Sequence, residues 1–387
     1  MSPAPAAPVL AIPPLGVYVH WPYCARICPY CDFNVVRNRG RTEEKAALVE
    51  AILTDLRSQA ALAGPRRLVS IFFGGGTPSL MDPAAAARII EVARSLWEAE
   101  PGLEITLEAN PTDAEAGCFA AFADAGVSRL SLGLQSLDDE ALAFLGRNHD
   151  AAAGRRAVAQ ALAVFPRVSI DLIYALPEQT PAAWASALAQ VTALGPEHVS
   201  AYQLTIEEGT AFERAVRRGA FTPPQGDPAA DLFEVTQAVL GAAGYEAYEI
   251  SNHARGAAAR SRHNLLYWRG EDYLGLGPGA HGRLTLPSGR AATAAPRGIA
   301  DYVASVAHHG LGADFGTLSA RDAALERLLM GLRTTEGAPM DDLAPLRIPP
   351  ARIADLGDLV AVKGGRLSVN PRGRAVLDRI IAELAAG

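Results

Sequence analysis

Short apolar runs alternate with amphipathic stretches through the first half of the chain. Residues 16–21, 69–74, 104–109, 129–134, 168–174 and 199–204 read as strands. Helical patterns lie between them, and 42–63 and 83–97 are the clearest. In the first, Leu48, Ile52 and Leu56 recur at helical spacing, Thr42 is placed as an N-cap, and Glu43 and Glu44 fill the first turn. Six strand–helix repeats imply a parallel sheet, because parallel neighbours need crossover helices. The strands read as nearly continuous apolar runs, as strands covered on both faces do. The expected fold is α/β, a partial (β/α)6 TIM-type barrel.

Polar and glycine residues gather where these strands end. His20 and Trp21 lead into a cysteine cluster, and Gly74-Gly75-Gly76-Thr77-Pro78 follows the second strand. Glu108-Ala109-Asn110-Pro111 follows the third, Gln135 the fourth, and Asp171 lies in the fifth. In β/α barrels catalytic groups collect at the C-terminal mouth of the strands, so one working face is expected. From about Asp227 the rhythm changes. Residues 232–240 look helical, 245–251 look like a strand, a loop carries His263-Asn264-Leu265-Leu266-Tyr267-Trp268, and 275–282 is a glycine-dense turn. Beyond about 297 the pattern is mostly helical, with 325–333 read as a core helix. A short hairpin is expected around Lys363-Gly364-Gly365, and a helix over 372–384. The expected organisation is a flexible leader (1–15), a barrel core (16–226), a segment completing the barrel (227–296), and a mostly helical, winged-helix-like C-terminal domain (297–387).

The 387 residues suit one large domain and a smaller one, and 49% hydrophobic content excludes a disordered chain. No uninterrupted apolar stretch reaches the roughly 18–20 residues of a membrane span. The first sixteen residues lack a basic region and are broken by prolines, a poor export signal. A net charge of −7 argues against bulk binding of nucleic acid. Four cysteines change the picture more. Cys24, Cys28 and Cys31 crowd into eight residues, while Cys118 stands alone and reads as a buried thiol. A secreted disulfide framework would spread its pairs, so the cluster points to metal in a reducing cytosol. Thiolates select zinc or iron–sulfur clusters. A zinc site would want a fourth ligand, and His20 is the nearest extra donor. Three thiolates on a four-iron cluster would leave one iron open to an amino-acid-like chelate. Three unrelated buried thiols are the plain alternative.

The C-x3-C-x2-C spacing after a first strand is similar to the signature of the radical S-adenosylmethionine (SAM) superfamily. The resemblance implies a [4Fe–4S] cluster whose open iron is chelated by SAM, and reductive cleavage of SAM to a 5′-deoxyadenosyl radical. Glycines in 74–76 let the backbone approach a ligand, and exposed amides there could receive a carboxylate. The segment resembles the superfamily's GGE-like stretch at the amino end of SAM. Tyr18-Val19-His20-Trp21-Pro22-Tyr23-Cys24, Leu132-Gly133-Leu134-Gln135-Ser136 and Ile170-Asp171-Leu172-Ile173-Tyr174 look like coproporphyrinogen-oxidase-type radical SAM proteins. In that group two SAM molecules lie beside the cluster. Residue by residue, the resemblance implies Tyr18, Gly75 and Glu108 at the first, and Tyr30, Gly76, Thr77, Gln135, Arg147 and Asp171 at the second.

Two features separate the branches. Where oxygen-independent coproporphyrinogen III oxidases carry a fourth cysteine, this chain has Phe33, in Cys31-Asp32-Phe33. His263 to Trp268 also matches the HNxxYW motif of the heme chaperone HemW family. The resemblance implies a cytoplasmic chaperone that binds heme and hands it to an acceptor protein, which can be membrane-bound. Radical oxidative decarboxylation of coproporphyrinogen is the alternative. His263 is the candidate heme ligand, with His20, His253, His281, His308 and His309 as others. Tyr267 and Trp268 offer flat surfaces to a porphyrin.

Overall fold

The computed structural model describes residues 12–386. Most of the expected leader lies outside them, but its last residues do not form a leader: the first strand already begins at Pro14, and Leu15 is wholly buried. The parallel strands are β1 (Pro14–Trp21), β2 (Arg67–Gly75), β3 (Glu98–Ala109), β4 (Arg129–Gln135), β5 (Arg167–Tyr174) and β6 (His198–Gln203). They pair in chain order, and β7 (Asp272–Leu276) adds a seventh parallel strand on the free side of β1. Antiparallel strands extend both edges, so the sheet is a partial barrel that does not close. They are β8 (His281–Leu286), β9 (Gly289–Ala294) and β10 (Asp314–Thr317) beyond β7, and Asn252–Ala254 beside β6.

The strands are not apolar on both faces, as their sequences suggested. Val17, Val19, Ile71, Phe73, Leu130, Leu132, Val168 and Ile170 face outward into the main core. There they meet α1 (Thr42–Ala63), α2 (Pro83–Leu96), α3 (Ala151–Val164) and α4 (Pro181–Ala193), with α5 (Asp227–Ala242) packed beside α4. The alternate positions turn into the barrel, and many are polar yet buried: Ser70, Glu104, Thr106, Arg129, Ser131, Ser169, His198 and Ser200. Several of them bond one another, whereas the Thr106 hydroxyl and Arg129 Nε have no partner. The Ser169 hydroxyl is 2.7 Å from His198 Nδ1 and donates to Asp171, which also accepts from Ser131. A TIM barrel usually fills this space with branched apolar side chains. Here the space is polar, as a ligand site requires.

Leu48, Ile52 and Leu56 are fully buried on α1, as their spacing indicates. Its N-cap position, however, falls on Arg41, and Thr42 instead turns its hydroxyl to the Gly40 carbonyl. The stretch 245–251 forms only the two-residue strand Glu246–Ala247 and the approach to Asn252–Ala254. The His263-to-Trp268 stretch is helical rather than a loop: α6 (Arg262–Trp268) is capped by the Ser261 hydroxyl, which accepts from the Asn264 amide. The predicted final helix divides into a 3-10 turn, Pro371–Val376, and α9 (Leu377–Ala385). Between α6 and α9 lie α7 (Ile299–His309) and α8 (Ala320–Arg333). The hairpin forms as Val360–Lys363 and Arg366–Val369. Tyr302, Val306 and Ala313 belong to the main core, whereas Ala324, Leu328, Leu367 and Ile380 build a second one. The changeover therefore falls between Ala313 and Ala324.

Candidate functional site

A cavity of about 470 Å³ opens at the C-terminal ends of the parallel strands and reaches down to Arg129. Cys24, Cys28, Cys31, Tyr30, Gly75, Gly76, Thr77, Glu108, Gln135, Arg147 and Asp171 all line it. Residues drawn from four strands, the cysteine loop and the loop that carries Arg147 thus meet in a single space.

The cysteine loop is pinned at several points. Tyr23–Cys24 pairs with Val36–Arg37, and the Asn38 amide donates to the Cys24 carbonyl at 2.7 Å. His20 Nε2 lies 2.8 Å from the Asn34 carbonyl, and Asn34 Nδ2 donates to the carbonyls of Pro278 and Arg297, both at 2.9 Å. The Phe212 amide holds the Pro29 carbonyl at 2.9 Å. Burial pushes the Cys24 thiol up, against the opposing pull of Thr77 and Arg147, and the Cys31 thiol up to about 11. Arg147 donates to Cys28 Sγ at 3.4 Å and to the Tyr30 hydroxyl at 3.3 Å. Its other amino group donates to Asn110 and to the Gly133 carbonyl. Burial alone would weaken the guanidinium's hold on its proton, but Tyr30 and Cys28 raise it above its ordinary value. Among the described residues, no three His, Cys, Asp or Glu side chains converge as ligands of a single ion would. Three thiols lining one cavity are the donor type that a multi-iron cluster takes on separate corners.

The glycines serve close packing. Gly75 has φ 104°, and a Cβ there would meet the His20 ring at 2.6 Å; one on Gly76 would meet the backbone of residues 21–23 at 2.8 Å. The amides of this stretch have partners within the protein. Gly75 N–H donates to Glu108 at 3.3 Å, Gly76 N–H to the Trp21 carbonyl and Thr77 N–H to the Tyr23 carbonyl, both at 2.8 Å. Thr77 also bonds the Cys24 thiol and accepts from Asn110 at 3.0 Å.

Burial, then the charge of Asp171, pushes Glu108 up to about 8, and burial raises Asp171 as well. Gln135 holds φ at 64°, a left-handed conformation uncommon for a side-chain-bearing residue. Sequence reasoning missed Arg129, which is 2% exposed, lines the cavity floor and has no partner at Nε. The alternation of β4 carried that signal, because Arg129 shares its face with Ser131 and Gly133. Asn34 and Asn110 were also missed as supports of the loop and of Arg147.

Tyr18, His263, Tyr267 and Trp268 do not line this cavity. Tyr18 lies behind Gly74, its hydroxyl 3.0 Å from His20 Nδ1. His263 is 1% exposed and stacks on Phe72 at 4.8 Å. Its Nδ1 is 2.8 Å from the Ser70 hydroxyl and its Nε2 2.7 Å from that of Tyr267, so both ring nitrogens are engaged and neither is open to iron. Burial lowers its pKa to about 3, which keeps it neutral. The Glu104 carboxylate seats the helix by accepting the Arg262 and His263 amides at 3.1 and 3.0 Å. Asn264 thus reaches the first cavity, while Tyr267 and Trp268 line a second one of about 540 Å³.

A family profile described as the radical SAM superfamily matches residues 18–191. The chain is 45% identical over 289 residues to radical S-adenosyl methionine domain-containing protein 1, mitochondrial, of Bos taurus, covering 74% of this chain and 63% of that protein. It therefore spans less than two thirds of that relative's length. It is 40% identical over 285 residues to heme chaperone HemW of Escherichia coli (strain K12), covering 73% of each. With heme chaperone HemW of Mycobacterium tuberculosis the identity is 34% over 375 residues, covering 96% of this chain and 95% of the other. The solved structure of coproporphyrinogen III oxidase (HemN) from Escherichia coli superposes with a TM-score of 0.80 at 22% identity, over 97% of this chain and 91% of that one. That likeness shows the shared fold.

Proposed function

The chain belongs to the heme chaperone HemW family, and from that premise we propose that it binds heme and passes it to an acceptor protein. In this reading Cys24, Cys28 and Cys31 hold a [4Fe–4S] cluster, and SAM occupies the remainder of the first cavity. The observation that carries it is the convergence of three thiols, Arg147, Glu108, Gln135 and Asp171 on one space of a size that suits a small-molecule cofactor. When bound, the cluster supplies a single electron and SAM the sulfonium that receives it.

The chain's own residues do the rest. Arg147 places a fixed positive charge beside Cys28 and offers a partner for a carboxylate. Glu108 and Asp171 present acceptors for ribose hydroxyls and for an ammonium group. Phe33 is 60% exposed at the cavity mouth, where its ring can neither ligate metal nor relay a proton. That absence favours heme handling over porphyrinogen decarboxylation. Tyr267 and Trp268 offer the porphyrin surface, whereas His263 supports them from within the barrel. No helix among the described residues is long and apolar enough to cross a membrane. We place the protein in the cytoplasm, where an acceptor can be met in solution or at a membrane surface.

Two assays on one preparation test this reading. Hemin titration of the cluster-loaded protein is expected to shift the Soret band, and subsequent addition of apomyoglobin to draw the heme away. Coproporphyrinogen III with SAM and a reductant is expected to yield no protoporphyrinogen IX. Robust decarboxylation without hemin uptake would overturn the proposal.

A further inference from the structure

The floor of the first cavity holds a charge to which the protein gives no hydrogen bond. Arg129 opens β4, in register with Thr106 of β3 and Arg167 of β5, and strand alternation turns its side chain into the barrel. It is buried and lines the cavity. A guanidinium carries five N–H donors. Among the described residues none of them meets a hydrogen-bond acceptor or an ion-pair partner, and Nε is fully buried. The hydroxyl of the neighbouring Thr106 is buried without a partner too. Buried donors in folded proteins are nearly always paired, so an unmatched guanidinium calls for a physical reason.

The nearby acids do not supply that partner. Glu104 accepts from Arg167 and from the Arg262 and His263 amides. It therefore balances Arg129 through space: against the opposing effect of burial, the charges of Arg129 and Arg167 lower its pKa. Asp171 accepts from Ser131 and Ser169, and Glu108 accepts the Gly75 amide. Burial, then Asp171, pushes Glu108 up to about 8, so at neutral pH it is protonated and does not repel an incoming anion. Asn264, near the start of α6, lines the same cavity. Its backbone amide is taken by the Ser261 cap, while its carboxamide makes no hydrogen bond among the described residues. Arg147 also lines the cavity, but it is bonded to Cys28, Tyr30, Asn110 and the Gly133 carbonyl.

We propose that Arg129, with Asn264 beside it, forms a carboxylate-binding subsite at the floor of the first cavity, separate from Arg147; the inference rests on the small-molecule reading of that cavity given above. The fork of a guanidinium matches the two oxygens of a carboxylate, and a site shielded from water strengthens the pairing. The Asn264 carboxamide adds a further donor. Two molecules of the functional reading carry such a group: SAM at its amino-acid end, and heme on its propionates.

The test is calorimetric titration of the anaerobically reconstituted full chain with two pairs of probes. S-adenosylhomocysteine is compared with 5′-methylthioadenosine, which lacks the amino-acid end, and hemin with its dimethyl ester, whose propionates are blocked. In at least one pair the wild type is expected to prefer the free acid about tenfold or more, as a charged hydrogen bond implies. Arg129→Met is expected to cut that preference about tenfold while affinity for the blocked partner stays unchanged. Arg129→Lys, which keeps the charge and loses the fork, is expected to recover only part of it, and Asn264→Ala to weaken it several-fold. An effect on the adenosyl pair identifies the cofactor as the source of the carboxylate, and one on the porphyrin pair identifies the cargo. The thermal midpoint of Arg129→Met is expected to hold or rise, because an apolar chain replaces an unpaired buried charge; a large fall would mark a purely structural arginine and overturn the subsite. An undiminished preference in both Arg129→Met and Asn264→Ala would overturn it as well and leave the functional reading standing. A wild type that binds none of the four probes would overturn both.

Discussion

At the scale of single residues, Glu108 shows how the cavity couples folding to pH. It is recessed in the wall, and burial together with Asp171 pushes its carboxyl up to about 8 from an ordinary 4.5, against the opposing pull of the Gly75 amide. Between those values the folded chain keeps a proton that the unfolded chain has lost, so stability falls as pH rises through this window and levels off above it. Glu108→Gln removes the effect. The metal-free variant is expected to be more stable than wild type at pH 8.5 by roughly 1–3 kcal/mol, allowing for screening by cavity water, with the gap closing towards pH 4.5. Thermal melts across that range provide the check, and parallel curves would show that Glu108 is ionised throughout. His263 teaches a related lesson. Its motif suggested a ligand, but its nitrogens are occupied by Ser70, 193 residues away in sequence, and by Tyr267. A partner at that separation leaves no local trace in the sequence.

At the scale of elements, the cysteine loop is a segment tied from outside. Asn34 donates to two carbonyls that lie beyond residue 270 and presents its own carbonyl to His20. Asn34→Ala is expected to cost about 1 kcal/mol for each side-chain hydrogen bond lost. It should accelerate amide exchange across residues 25–35 and slow iron loading, while exchange in β4 and β5 stays unchanged. Hydrogen exchange read by mass spectrometry distinguishes this from general destabilisation, in which both regions would speed up together. The six parallel strands were legible because their outward residues, such as Val168, Ile170 and Leu172, are apolar and regularly spaced. Their inward residues were under-read. Ser169, Asp171, Ser131 and Arg129 alternate with the apolar set, and that alternation marks a polar interior rather than a fully apolar strand. α6 escaped because seven residues give a weak helical period, although Ser261 three residues before Asn264 is a usable start signal.

At the scale of the whole molecule, two cores meet at a seam, and a different kind of cavity accompanies each junction. The barrel mouth gathers thiols, carboxylates and guanidinium groups, whereas the seam with the C-terminal unit sets aromatic rings beside paired arginines and carboxylates. The first was readable from the chain because strand ends come one after another, and each carries its polar residue just past an apolar run. The second was only half readable. Tyr267 and Trp268 stood out in their motif, but the α8 residues beside them are identified only once that helix is packed against α6. The same holds for Arg129, whose burial depends on the barrel curving around it.

The account stands on a four-iron cluster with one corner free of protein ligands, and electron paramagnetic resonance of the anaerobically reconstituted, reduced protein tests that most directly. About four irons per chain are expected, with a cluster signal that changes shape when SAM is added. Cys28→Ser is expected to lose the iron. A chain that takes up zinc instead, or a cluster whose signal ignores SAM, would contradict it.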